Sequence, residues 1–194
     1  MRLVLLAGAV VGVLVGIGGA EVRTPQQADA FAQKLAAILS RSQTPPSGQR
    51  TEFDNDEINA YLQLRLAPAF PTGVAEPEVT LVGEGRLSGR AIVDLDGLKK
   101  KGTGGWFDPS AYLGGRLPVV AVGTLKTGDG AGQLVLERAE ISGIPVPVSL
   151  LQELVTYYTR SADLPNGVNL NDPFPLPSHI QRIDVDEGRA IVVQ

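Results

Sequence analysis

The segment from Leu117 to Tyr158 constrains the fold of this chain more than any other. It opens with the apolar run LPVVAVGTL, turns through Lys126-Thr-Gly-Asp-Gly-Ala-Gly132 and returns as QLVLERAEISG. Ile144-Pro145-Val146-Pro147 then leads into a further apolar stretch. Apolar runs bounded by glycine-rich turns read as paired strands. Nearly every position from Leu117 to Leu125 is small or apolar, which predicts a strand covered on both faces or lining an apolar cavity. Strict alternation along the returning strand puts Leu134, Leu136, Arg138 and Glu140 on one face, and Val135, Glu137, Ala139 and Ile141 on the other. Leu150, Leu151, Leu154, Val155 and Tyr158 recur at helical spacing, with Gln152, Glu153 and Thr156 opposite. A sheet with one dry side and a helix with one dry stripe must bury them together, so the fold class is α+β.

The flanks repeat these elements. Thr24-Pro25-Gln26-Gln27 carries an N-cap, a proline at the first helical position and a capping-box glutamine. Phe31, Leu35, Ile38 and Leu39 follow at helical spacing, and Gln43-Thr-Pro-Pro-Ser-Gly48 ends the helix near Ser42. Asp54 and Glu57 form a second capping pattern, with Ile58, Tyr61, Leu62 and Leu66 as its stripe and Pro68 as its stop. Residues 78–82 and 86–95 read as a hairpin, and His179–Val185 with Arg189–Val193 as another, turned by Glu187-Gly188. The whole predicts a long antiparallel sheet, curved by its glycines, wrapped around or packed on two to three helices.

Composition narrows the function. At 194 residues and 43% hydrophobic content, one domain over 21–194 is the natural unit. A formal charge of -4 lacks the basic footprint of a general nucleic-acid binder. Cysteine is absent, which removes disulfides, thiolate catalysis and Cys-ligated zinc. Residues 1–20 combine Arg2, an apolar run from Leu3 to Ile17 and small residues Gly18-Gly19-Ala20, so they read as an export signal or a retained membrane anchor. Either fate puts the chain outside the cytoplasm, in the periplasm or on the outer face of the inner membrane.

Candidate chemistry is sparse. The chain has one histidine, His179, and neither a Gly-x-Ser-x-Gly elbow nor a His-Glu-x-x-His helix surrounds it. Asp184 with Asp186, and Asp94 with Asp96, read as solvent faces of strands. Asp54, Asp56 and Glu57 suit capping and the helix dipole better than a metal, since no histidine is near. Asp94-Leu95-Asp96-Gly97 lacks the further ligands of a calcium loop. The expectation is a protein that is not an enzyme and needs no metal or cofactor. Lys99, Lys100, Lys101, Trp106 and Phe107 combine basic and aromatic groups in an irregular stretch. They suit contact with an anionic membrane surface, or a solvated lysine turn with Trp106 tucked into the core.

Asp56-Glu57-Ile58-Asn59-Ala60-Tyr61-Leu62, then long hairpins, Gly143-Ile144-Pro145-Val146-Pro147 before a helix, Pro173-Phe174-Pro175-Leu176-Pro177 and Ile180-Gln-Arg-Ile183 before a last hairpin follow in order. Over residues 50–194 this order resembles small extracytoplasmic bacterial proteins similar to the tubular lipid-binding, or TULIP-like, superfamily. The resemblance implies a curved sheet wrapped on a helix, an apolar groove for acyl chains and no catalytic residues. One copy of such a unit implies a short groove.

The expected function is binding of a lipid or other apolar small molecule between sheet and helices. Its wall would come from Val120, Val122, Leu134, Leu136, Leu151, Leu154 and Tyr158, each of them also an ordinary core position. The alternative is an interaction or assembly protein whose apolar surface binds a protein partner or a second copy.

Overall fold

A computed structural model describes residues 23–40, 48–70, 72–94, 115–160 and 164–194, without the side chain of Tyr158. The leader at 1–20, the Gln43–Ser47 connection, the Asp96-Gly97 turn and the Lys99, Lys100, Lys101, Trp106, Phe107 group lie outside the described residues.

Helix α1 (Pro25–Ser40) begins as its sequence predicts: Gln27 N–H donates to Thr24 Oγ1 at 3.3 Å, and Gln27 Oε1 accepts from Thr24 N at 2.9 Å. Strand β1 (Arg50–Asp54) runs directly into α2 (Asn55–Leu64), where Asp54 and Glu57 form the reciprocal capping box. The acidic first turn is thereby accounted for: Asp56 pairs with Arg23 at 3.0 Å, and Glu57 with Lys34 at 2.6 Å. Leu66 falls beyond α2, ahead of a short 3-10 turn at Ala67–Ala69.

The larger sheet follows the order β2 (Val74–Gly83), β3 (Arg86–Asp94), β4 (Arg116–Gly128), β5 (Ala131–Ile141) and β6 (Ile144–Val146). Helix α3 (Val148–Thr159) follows β6, and β7 (Phe174–Pro175) returns to pair with the start of β5. A smaller antiparallel sheet, β1-β9-β8, uses β8 (Arg182–Asp186) and β9 (Arg189–Val193). Every strand pairing is antiparallel, so the described chain is α+β with helices packed on an antiparallel sheet.

Helix α2 is fastened to the edge of the larger sheet by side chains that act as a strand would. Asn59 Oδ1 accepts from Val79 N at 2.7 Å, and Asn59 Nδ2 donates to Val79 O at 2.7 Å. One helical turn earlier, Asn55 Oδ1 accepts from Leu81 N at 2.9 Å. Asn59 is 0% exposed, so these bonds form in a low-dielectric setting where an orphaned backbone group is costly. They also close an edge that could otherwise recruit another chain. Helix α1 lies on α2 through Phe31 stacked on Tyr61, ring centroids 4.5 Å apart.

The core follows from register. Leu81 and Leu87, Val119, Ala121, Leu134, Ala139 and Ile141 share one buried cluster with Leu62 of α2 and Leu151 and Leu154 of α3. A second cluster joins Ile38, Phe53, Ile180 and Val192 between α1 and the smaller sheet.

Simple alternation fails on β5. Residues 138–141 pair with β4 in one register and residues 131–136 in another, leaving Glu137 as the extra residue of a β-bulge opposite Val122 and Gly123. The bulge reverses the parity, so Leu134 and Leu136 face the core with Ala139 and Ile141, while Arg138 and Glu140 face away. The same register corrects the expected wall. Val120 pairs with Arg90 and Glu140, and Val122 with Ser88 and Arg138, so both valines lie on the opposite face from Leu134 and Leu136. They are nonetheless buried, at 8% and 5% exposure, as the apolar run from Leu117 to Leu125 predicts for a strand covered on both sides.

Gly123 permits the bulge, because a Cβ there would stand 2.6 Å from the Val135 carbonyl oxygen. Gly123→Ala should therefore lower unfolding free energy by about 1–3 kcal/mol, read as a lower urea midpoint at unchanged slope. Asn59→Ala should lose about 2–5 kcal/mol by orphaning both Val79 groups. Asn59→Asp should recover little, since a carboxylate would face the Val79 carbonyl.

Candidate functional site

The two ends of the larger sheet differ. At one end, β8 lies across the β2–β3 turn and β4. Gly85 N donates to Val185 O at 3.0 Å, and Gly130 N to Gln181 O at 3.1 Å. The Thr127 hydroxyl donates to Ile183 O and accepts from Ile183 N, each at 2.8 Å. Val185 enters the main core there, so β8 plugs this end, with Leu125 and Ile183 partly exposed at its margin.

The other end gathers the close of α2, the start of β2, the end of β3, the start of β4, the turn of β5 into β6 and the start of α3. The antiparallel register brings these termini together, with Val93 opposite Leu117 and Ile141 opposite Ile144. Leu66, Phe70, Val93, Leu117, Val146 and Leu150 pack against the core from this end and remain partly exposed. They form an apolar rim continuous with the core beneath it. Glu76 and Arg116, 72% and 61% exposed and 3.9 Å apart, flank it as a weak ion pair.

The residues expected to line a groove are divided by this geometry. Leu134, Leu151 and Leu154 are buried core members; Leu136 is partly buried against the same cluster. Val120 and Val122 belong to the far face, and the Tyr158 side chain lies outside the described residues. The rim was not legible as a set. Leu66 looked like helix stripe, Phe70 carried no pattern, and Val93 meets Leu117 only through strand pairing.

A shallow groove between the β2–β3 turn, β4 and β8 is polar, lined among others by Glu84, Thr124, Lys126, Asp184 and Asp186. Its two aspartates are engaged: Asp184 accepts from Arg182 Nε at 3.1 Å, and Asp186 from Arg189 Nε at 3.2 Å. His179 sits in the left-handed region with φ 58°, just before the turn into β8, and is not part of that lining. Among the described residues no cluster of three or more His, Asp or Glu is placed to hold a metal ion, and no helix is long and apolar enough to cross a membrane.

No protein-family model matches the chain, and no curated relative matches it. One solved structure, of a lipopolysaccharide binding protein, aligns at 18% identity over 75% of this chain and 40% of its own, with a TM-score of 0.23. The chain thus spans well under half the length of that protein, and an overlap this poor carries no argument about a shared fold.

The rim and the core beneath it should separate in mutagenesis. Leu134, 2% exposed, should cost about 2–5 kcal/mol on truncation to Ala, whereas Leu150→Ala should cost less than half as much in the same denaturant titration.

Proposed function

We propose that this chain is a non-enzymatic protein of the cell envelope that holds a lipid or another apolar ligand against the apolar rim where Val93 meets Leu117. The observation that carries the reading is the set of partly exposed apolar side chains Leu66, Phe70, Val93, Leu117, Val146 and Leu150, which pack against the core where the strand termini of the larger sheet gather. Apolar surface continuous with a core, rimmed by polar groups, is the form that small apolar ligands recognise. The TULIP-like order of sequence motifs supports the same ligand class. The leader, with Arg2 ahead of an apolar run, supports a location outside the cytoplasm.

Ligand in this reading seats its apolar part against Leu117, Val93 and Leu150 rather than deep between sheet and helices, because Leu134, Leu151 and Leu154 already fill that space. The carboxylates of the polar groove and His179 have no part in it.

Protein purified from membranes should release lipid on organic extraction and show a bound mass in native mass spectrometry. Leu117→Glu and Leu150→Glu should each lose that mass while keeping the circular dichroism of the parent. Added ligand at about 100 times its Kd should raise stability by about 2.7 kcal/mol, seen as a higher Tm. Repeated purification without any apolar molecule, together with no thermal response to fatty acids or phospholipids, would sink the reading. A stoichiometric polypeptide bound through the same rim would replace it with the protein-partner alternative.

A further inference from the structure

Beside the apolar rim stands a protrusion that core packing does not explain. Ile144 is 66% exposed, the highest figure among the exposed large hydrophobics of the described residues, and it follows a two-residue turn, Ser142-Gly143. Both turn residues are left-handed, with φ 54° and 77°, which is the type I′ geometry that closes a tight hairpin. The tip is therefore held out by regular backbone.

Its hydrogen bonding is also unusual for a sheet edge. Ile144 pairs with Ile141 and Val146 with Ala139, so in the alternating pattern of a tight hairpin the N–H groups of 144 and 146 point toward β5. The positions whose N–H would point outward are 145 and 147, and both are proline. The Pro147 carbonyl accepts from Leu150 N at 2.9 Å, and Ser142 N donates to Pro118 O at 2.8 Å. No charged residue occurs from Ile141 to Gln152. An outer edge without N–H donors cannot template an added strand in the usual ladder, which argues against a partner bound by strand addition. An uncharged knob with proline at both outward positions, 145 and 147, is suited to an apolar medium, where an unpaired N–H is expensive.

We infer that the β5–β6 tip, Ser142 to Pro147 with Ile144 at its centre, is a membrane-surface anchor. It enters the boundary between headgroups and acyl chains and turns the apolar rim toward the bilayer. With a chain of formal charge -4 and no basic residue at the tip, the attraction is hydrophobic and takes a neutral lipid surface as readily as an anionic one. The anchor stands independently of the ligand reading, because adsorption of the tip requires no bound molecule.

The absence of cysteine allows a site-specific test on the full chain. Ile144→Cys and, as a control at the plugged end, Val82→Cys would each carry an environment-sensitive fluorophore. Val82 is 42% exposed and bridges Glu187. On phosphatidylcholine vesicles the label at 144 should shift to the blue and be quenched by lipid-borne bromine, with the label at 82 unchanged, and 0.5 M salt should not reverse the effect. Ile144→Asp should weaken vesicle partitioning roughly tenfold, the order expected for one buried isoleucine, at an unaltered Tm. A label at 144 that stays in water on vesicles, equal response at both sites, partitioning unchanged in Ile144→Asp, or reversal by salt would each overturn the anchor. So would a concentration-dependent dimer abolished by Ile144→Asp.

Discussion

The pairing of one side-chain amide with one peptide group organises the molecule. Asn59 satisfies both the N–H and the C=O of Val79, so α2 takes the place of a further strand along β2. Two bonds made in a dry setting set both the height and the direction of the helix against the sheet. Other contacts follow from that placement. Leu62 drops into the main core, Tyr61 offers its ring to Phe31, and Glu57 meets Lys34 of α1. Because Asp54 is both the last residue of β1 and the cap of α2, the smaller sheet is oriented by the same helix.

The β5 bulge has the second controlling influence. Without it, Leu134 and Leu136 would face away from Ala139 and Ile141, and the core stripe of the strand would be cut in half. Glu137 is the inserted residue; it projects from the far face, where it pairs with Arg86 at 3.2 Å. Gly123 opposite accommodates the resulting backbone approach. Packing of β8 over one end and the collection of strand termini at the other then place the apolar rim of Leu66, Phe70, Val93, Leu117, Val146 and Leu150 beside the exposed Ile144 tip.

Much of the secondary structure could be read locally. Thr24 with Gln27 and Asp54 with Glu57 are contacts three residues apart, so their sequence spacing is already their geometry. The hairpins at 78–94, 117–141 and 182–193 are announced by turns inside each segment. Strand β1 was not announced: Arg50-Thr-Glu-Phe-Asp54 is short and mostly polar, and it becomes a strand because β9 supplies its hydrogen bonds. Gln194 likewise gives no local sign of burial, yet it is 2% exposed and donates to the Ile38 and Ser178 carbonyls at 3.1 and 2.8 Å.

By itself the sequence determined the α+β class, the caps of the first two helices and the strand-turn-strand-helix unit from Leu117 to Tyr158. These depend on period, turn chemistry and contacts within a few residues. Only the tertiary structure decided which leucines face the core, how the β2 edge is closed and which apolar side chains gather at one end of the sheet. Each of those is a matter of register between segments distant in the chain, and a shift of one residue exchanges the two faces of a strand.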